Sequence, residues 1–275
     1  MMKKNNTSLL LSAPYILWML CFTLIPLCVV GYYALTDPAT GSFTLDNLKQ
    51  LDMYLPVLWQ SIWYSLAAAF ICLLLGYPVA YYMAQQGPTA QKFLYMLVML
   101  PMCMSFLLRT LAWVGLLQDT GIINNFLDSV FGFRLDLIRT PGAVILGMVY
   151  NYLPYMILPL YTTICKIDHR LVEAAEDLGC DSMQVFRKVM LPLSMPGILS
   201  GLTMVFVPAV STFYISNKMG STDTILIGDI IERQFKQGDN ANMGAALSLL
   251  LMVLVFVCTG IMNRFGNQEE GGVIA

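Results

Sequence analysis

The chain contains a succession of long apolar runs, each long enough to cross a lipid bilayer as a helix. A hydrocarbon core about 30 Å thick takes about 20 apolar residues in helical conformation. The runs are Tyr15–Leu35, Trp59–Met83, Phe93–Leu117, Ala143–Cys165, Ile198–Ile215 and Gly244–Met262. Hydrophobic residues make up 57% of the chain and charged residues 12%, which is more apolar than a water-soluble core requires. The predicted fold class is therefore an all-α polytopic membrane protein with about six transmembrane helices.

The first run follows two basic residues, Lys3 and Lys4, as the apolar part of a secretory signal does. It is longer than the apolar part of a signal, contains Pro26, and has no convincing small-residue cleavage site after it. We therefore predict that it is a retained span.

An even number of spans places both termini on one side of the membrane. The basic residues on that side are Lys3, Lys4, Lys92, Lys166, Arg170, Arg187, Lys188 and Arg264. Since positive charge near span ends marks the cytoplasm, the termini are predicted to be cytoplasmic. The opposite loops, Thr36–Leu58, Gln118–Gly142 and Ser216–Met243, hold more acids than bases. Their charge fits either ordinary solvated loops or a docking surface for an external partner.

The segment between the fourth and fifth runs is unusually polar for this chain, and from Leu171 to Gly197 it reads LVEAAEDLGCDSMQVFRKVMLPLSMPG. Asp168 can cap a first helix, and Gly179 can end it in a positive-φ turn. Asp181, with Gln184 three residues later, can start a second helix. The apolar residues of the two helices recur at helical spacing, and Pro192 and Pro196 are expected to end the second helix. The pattern predicts a helix, a glycine turn and a second helix, both along a surface.

This pattern is also typical of a DNA-binding helix-turn-helix, in which Gln184, Arg187 and Lys188 would face the bases. Apolar runs within about 20 residues on both sides leave no room for an independent DNA-binding core, and the acidic first helix would repel phosphates. A second alternative is an amphipathic helix that lies on the membrane. Its acidic exposed face would be repelled by anionic headgroups.

The residues Glu173-Ala174-Ala175, Gly179 and Leu191-Pro192 resemble, in type and spacing, the EAA motif of the permeases of bacterial ATP-binding-cassette importers. The resemblance implies a type I (MetI-like) permease fold, whose cytoplasmic loop contacts an ATPase subunit. The coupling residues that it implies are Glu173, Ala174, Ala175, Asp177, Gly179, Leu191 and Pro192. It divides the chain into an N-terminal helix and first loop (1–58), a permease core (59–265) with a coupling loop (166–196), and a cytoplasmic tail (266–275).

Longer stretches, among them LLRTLAWVGLLQDTGIINNFL and TMVFVPAVSTFYISNKMG, resemble permeases of the spermidine/putrescine importers. This resemblance implies a PotC-like second permease, a pair of PotA-like ATPase subunits and a PotD-like external binding protein, soluble or lipid-anchored. No phosphate-binding loop occurs in the sequence, so ATP and Mg are expected on the partner ATPase, and no cofactor on this chain. A permease for another small solute, whether a cation, an amine or an anion, stays open as the alternative.

Aromatic side chains in the predicted spans could line a path for a polycation, because ring faces attract cations. The candidates are Trp113, Tyr152, Tyr155, Phe213 and Tyr214. Arg109 is the one base that we place within a span, where it is expected to face protein or water in a gating or structural role. Pro208 interrupts the fifth run and frees a backbone carbonyl, and a gating or structural role is expected for it as well.

No catalytic or metal site is predicted. The single histidine, His169, lies at the polar edge of the motif, and the cysteines show no metal-binding or disulfide spacing. An intramembrane hydrolase or transferase is the more remote hypothesis, since no set of nucleophile, base and orienting group is found.

Overall fold

A computed structural model describes residues 14–37, 41–236 and 240–270. Its helices are α1 (Pro14–Ala34), α2 (Asp46–Lys49), α3 (Leu55–Ala84), α4 (Pro88–Met99), α5 (Phe106–Leu117), α6 (Ile122–Phe131), α7 (Pro141–Ile164), α8 (His169–Asp177), α9 (Ser182–Val185), α10 (Leu191–Leu193), α11 (Met195–Val210), α12 (Tyr214–Met219), α13 (Ile227–Lys236) and α14 (Ala241–Glu270). The π-helical turns are Leu20–Leu24 and Phe186–Met190, and the 3₁₀ turns are Gln50–Tyr54, Leu100–Cys103 and Thr222–Thr224. These ranges contain no strand, although Thr36 and Phe43 form an isolated antiparallel bridge.

Within the described ranges, 5 helices are long and apolar enough to cross a membrane. They are Pro14–Ala34, Gln50–Ala84, Phe106–Phe131, Pro141–Ile164 and Ala241–Met262. A pair of helices, Ser182–Leu193 and Met195–Val210, is bent by 63° and raises the number to 6 if the pair is one span. The all-α polytopic fold class is therefore confirmed.

The prediction of one continuous helix over Phe93–Leu117 is wrong. Pro101, which lacks a backbone N–H, lies in the 3₁₀ turn that follows α4, and Met104 after it is extended. The chain starts a new helix after Ser105 and carries the candidate span on to residue 131 through α5 and α6. A long apolar run therefore does not by itself predict one continuous membrane-spanning helix.

The fifth predicted run, Ile198–Ile215, also differs from the structure. The helix ends at Val210, before the run does, and α12 starts separately at Tyr214. The Ser211 hydroxyl donates to the carbonyls of Val207 and Pro208 at 3.2 and 3.3 Å, so it satisfies the acceptors that a continuing helix would have used.

The chain forms two compact units. The first comprises Met1–Leu55 and Ile230–Leu254. In it, the buried amide of Asn47 donates to the Thr36 carbonyl at 2.9 Å, and the buried amide of Asn242 donates to the same carbonyl at 2.6 Å. These bonds join the segment after α1 to the start of α14.

The second unit comprises Pro56–Asp229 and Val255–Ala275, and α7 lies at its centre with 61% of its most apolar stretch buried. Helix α11 packs closely on α7 through two glycines. A Cβ atom built on Gly197 would lie 2.7 Å from the Thr163 Cβ, and one on Gly201 would lie 2.6 Å from the Met156 Sδ. The sequence Gly-x-x-x-Gly therefore marks the closest approach of two helices, as in other membrane proteins.

Candidate functional site

The predicted helix–turn–helix between the fourth and fifth runs is present, and its turn is built around Gly179. The Asp168 carboxylate caps α8 by accepting from the Arg170 N–H at 3.0 Å. Gly179 has a φ of +84°, its N–H donates to the Glu176 carbonyl, and the Cys180 N–H donates to the Ala175 carbonyl. This pair of bonds is the Schellman arrangement, which requires a left-handed residue at the glycine position.

The second helix begins as predicted. The Asp181 carboxylate accepts from the Gln184 N–H at 2.7 Å and caps α9. Phe186 in the following π turn packs edge-on against Tyr77, with 5.5 Å between the ring centres. The buried Tyr77 hydroxyl lies 3.0 Å from the Ser194 Oγ, at the 63° bend before α11. These contacts fix the second helix to α3 of the same unit.

The expectation that Pro192 ends the second helix is wrong. Pro192 lies within the helix that runs from Ser182 to Leu193, and the helix continues past it to Leu193. The break is at Ser194, whose hydroxyl donates to the Leu191 carbonyl at 3.0 Å. Leu191 is half-buried and Pro192 is exposed.

The remaining candidate coupling residues lie on a surface of the unit. Glu173, Ala174, Asp177 and Gly179 are exposed, and Ala175 is half-buried. We call this surface, together with Leu178 and Met183, the coupling face.

Two apolar side chains of the coupling face were missed as candidate site residues. Leu178 is 86% exposed and Met183 is 64% exposed, one on each side of the glycine turn. Leu178 follows the last residue of α8, and Met183 is the second residue of α9. This position beside the glycine turn is the sequence signal that could have identified them. Large apolar side chains exposed together beside a rigid turn are typical of a protein-binding surface.

Three of the five candidate path residues come together with one that sequence reasoning missed. The Phe106 ring stacks on Tyr152 at 6.5 Å and tilts against Tyr214 at 6.2 Å, and Tyr155 lies 6.3 Å from Tyr152. We call these four rings the aromatic cluster. The buried Tyr152 hydroxyl donates to the Pro208 carbonyl at 3.3 Å, which fixes the ring at the end of α11.

The other two candidate path residues do not join the aromatic cluster through ring contacts. Trp113 instead packs edge-on against Tyr150, with 5.3 Å between the ring centres. Phe213 is 41% exposed in the break between α11 and α12.

Arg109 is buried in the same unit, on the turn of α5 that follows Phe106. Its Nε and Nη1 atoms have no hydrogen-bond partner among the described residues, and its charge lies within electrostatic range of Tyr152. The guanidinium therefore faces protein, as expected of a base in a span. Its place beside the aromatic cluster puts a fixed positive charge near these rings.

One carboxylate is not where the sequence places it. The sequence predicts that Asp229 lies in a solvated external loop, yet it is 1% exposed at the start of α13. Its Oδ2 accepts from the Leu226 N–H at 2.9 Å, so the carboxylate caps the helix by reaching back one turn. The described residues contain no cluster of histidine, cysteine or acidic side chains that could hold a metal ion.

Several helices long and apolar enough to cross a membrane, with an exposed helix–glycine–helix surface between two of them, define a multi-pass membrane protein. Residues 76–267 match the family of binding-protein-dependent transport system inner membrane components. The chain belongs to this family, and the resemblance drawn from the EAA motif is confirmed.

The relatives include the spermidine/putrescine transport system permease protein PotB of Haemophilus influenzae. It is 38% identical over 256 residues, which cover 90% of each chain. PotB of Escherichia coli is 37% identical over 247 residues, which cover 86% of this chain and 90% of that protein. The inner membrane ABC transporter permease protein YdcU of Escherichia coli is 29% identical over 267 residues, with 89% and 84% covered.

Two solved structures share the fold. A chain of a bacterial ABC transporter that imports the polysaccharide alginate has a TM-score of 0.74 at 20% identity, with 96% of both chains covered. A chain of the inward-facing MetNI methionine transporter has a TM-score of 0.61 at 19% identity, covering 80% of this chain and 98% of that one. At these identities the likeness concerns the fold alone.

Proposed function

We propose that this chain is a permease subunit that moves polyamines, spermidine or putrescine, into the cytoplasm. The observation that carries the proposal is its similarity to PotB proteins along nearly the whole chain, at 38% identity. The rings of the aromatic cluster offer faces to a cation, which suits the passage of such a solute. ATP binding and hydrolysis on a separate subunit would drive the change between outward and inward access.

The coupling face is the proposed contact with the ATPase. Ala174 and Ala175 allow close approach, and Leu178 and Met183 offer apolar area for burial. The Schellman turn at Gly179 holds the two helices at a fixed angle, so a displacement of the coupling face moves both helices together. Asp168, Asp181 and the Tyr77–Phe186 contact anchor both ends of this element.

The coupling face and both termini lie on the cytoplasmic side in this proposal, because the basic residues near the span ends are concentrated there. The opposite loops receive a binding protein loaded with substrate. A second permease subunit completes the pore, and each permease contacts one ATPase subunit on its cytoplasmic side.

The aromatic cluster is the proposed polyamine contact within this chain. A cation over a ring gains about 0.5–2 kcal/mol, and the ammonium of Lys218 already lies 6.0 Å from the centre of the Tyr214 ring. Arg109 beside the cluster would repel a polycation, so it acts as a gate that keeps the substrate from resting there. The Pro208 carbonyl accepts a hydrogen bond from the Tyr152 hydroxyl and holds this ring of the aromatic cluster in place.

Uptake of radiolabelled spermidine tests the substrate. We expect cells that lack their own polyamine importers to take it up when they express the complete transporter, and to lose uptake when this chain alone is omitted. Unlabelled putrescine should compete, whereas a neutral diol of similar length should not. Full transport of a different solute, with no spermidine uptake, would assign the permease to the alternative substrate class.

Removing single rings tests the aromatic cluster. We expect Tyr155→Ala and Tyr214→Ala each to raise the KM of spermidine uptake by about threefold or more, since each removes one cation–ring contact. Tyr15→Ala is the control, because Tyr15 is 67% exposed on α1 and belongs to the other compact unit. It should change KM by less than about twofold. Equal effects of the three substitutions would remove the aromatic cluster from the path.

A further inference from the structure

Lys218 lies over one ring of the aromatic cluster. Tyr214 is the first residue of α12 and Lys218 is the fifth, a spacing that places both side chains on one face of the helix. The Lys218 Nζ lies 6.0 Å from the centre of the Tyr214 ring, at a distance where a ring face attracts a cation. The exposed lysine therefore brings a positive charge to a ring of the proposed polyamine contact.

The charge of Lys218 is held by this ring rather than by a carboxylate. Other basic residues of the loops form ion pairs, which are Lys49–Asp46, Arg134–Asp128 and Lys236–Glu232. Lys218 forms no ion pair with any residue that the structure describes. An exposed contact between a cation and a ring is weak, so another cation can replace the lysine on the ring.

The side chain of Lys218 has the same chemistry as the proposed substrate. It is an aminobutyl group, and putrescine and one arm of spermidine are built from the same group. A polyamine that reaches the Tyr214 ring therefore meets an equivalent ammonium at that ring. Because the lysine is tethered, its effective concentration at the ring does not depend on the concentration of the substrate. Like charges repel at such short distances, so the two ammonium groups compete for one ring face.

We propose that Lys218 is a tethered competitor of the polyamine. Its ammonium occupies the Tyr214 ring while no polyamine is bound there and returns to the ring when the substrate leaves. The inference rests on the proposed function, in which the aromatic cluster contacts the polyamine. With Arg109 near Tyr152 and Lys218 at Tyr214, a positive charge lies beside each of two rings. The path therefore holds its substrate weakly and releases it readily.

Binding of radiolabelled spermidine to the purified complex tests the competition. The complex contains this chain, its companion permease and the ATPase subunits, without nucleotide and without the external binding protein, and binding is measured by equilibrium dialysis. We expect Lys218→Met to lower the dissociation constant about threefold, because the neutral side chain leaves the ring free. Lys218→Arg should stay within about twofold of the wild type, because a guanidinium also binds to a ring face.

A double-mutant cycle separates competition for the ring from a general effect of charge. Tyr214→Leu removes the ring and keeps an apolar side chain against Phe106, so Lys218→Met has no ring to free in this background. We expect the dissociation constants of Tyr214→Leu and of the double variant to agree within about 1.5-fold. Lys236→Met is the control, because Lys236 is also an exposed lysine but pairs with Glu232 in the other compact unit. It should bind spermidine as the wild type does.

The outcomes separate this inference from the proposed function. If spermidine is transported but Lys218→Met binds it no more tightly than the wild type does, Lys218 does not compete for the ring and the inference is overturned. If Lys218→Met tightens binding equally with and without the Tyr214 ring, the lysine acts through charge alone and the inference is also overturned. If the tighter binding depends on the ring but the complete transporter takes up no spermidine, the competition stands and the polyamine substrate is wrong.

Discussion

The Gly179→Asp substitution is expected to reduce uptake by about tenfold or more, while the protein stays folded in the membrane. Gly179 has a φ of +84°, where a side chain costs about 1–2 kcal/mol. The added carboxylate would also lie at the C-terminal end of α8, where the helix dipole disfavours negative charge. Among the described residues other than its chain neighbours, none has an atom within 4 Å of the position that its Cβ would take, so the effect comes from the turn and not from a clash.

Gly132 offers a matched control for this prediction. It has a φ of +70° at the end of α6, and no described residue other than its chain neighbours has an atom within 4 Å of the position that a Cβ would take. It is remote in sequence from the coupling face. We expect Gly132→Asp to keep most of the uptake, and Gly179→Asn to keep more than Gly179→Asp because asparagine tolerates this conformation without a charge. Equal loss of uptake in the Gly132 and Gly179 variants would remove the specific role of the turn at Gly179.

The second large effect is expected at the contact between α7 and α11. Gly197→Val places a branched side chain where a Cβ alone would already lie 2.7 Å from the Thr163 Cβ and 3.1 Å from the Pro159 carbonyl oxygen. Because backbone atoms cannot move aside as a flexible side chain can, we expect a cost of about 3 kcal/mol or more in the free energy of unfolding. The folded fraction after detergent extraction, read by size-exclusion chromatography, should fall sharply.

Gly115→Val is the control for the packing prediction. Gly115 lies within α5, and outside the backbone of its own helix and its chain neighbours no described residue has an atom within 4 Å of an added Cβ, so the same substitution adds bulk without a clash. Its folded yield should stay close to the wild type. A Gly197 variant as stable as the Gly115 variant would mean that the two helices do not approach as closely as described.

Local signals in the sequence predict the helix–turn–helix that carries the coupling face. Asp168 and Asp181 cap the helices that they are expected to cap, and Gly179 takes the left-handed conformation expected of a glycine after a helix. These features depend on residues within about four positions of each other, so short-range chemistry decides them. The Gly-x-x-x-Gly spacing of Gly197 and Gly201 in the sequence also indicates their close packing.

Features that depend on distant residues cannot be predicted in the same way. Phe106 joins rings that lie far along the chain, and hydropathy alone does not distinguish it from its apolar neighbours. Asp229 is buried and its carboxylate caps a helix, although its surroundings in the sequence are those of a loop. A hydropathy pattern does not show the helix break at Pro101, because the run around this proline is apolar throughout and the missing backbone N–H does not change its hydropathy.

The ATPase activity of the purified complex in liposomes tests the central claim most directly. The complex contains this chain, its companion permease, the ATPase subunits and an external binding protein that is either empty or loaded with spermidine. We predict that the loaded binding protein stimulates hydrolysis, that the empty one does not, and that Gly179→Asp abolishes the difference. An ATPase rate that is the same with empty and loaded binding protein in the wild type would contradict the proposal that this chain couples polyamine delivery to ATP hydrolysis.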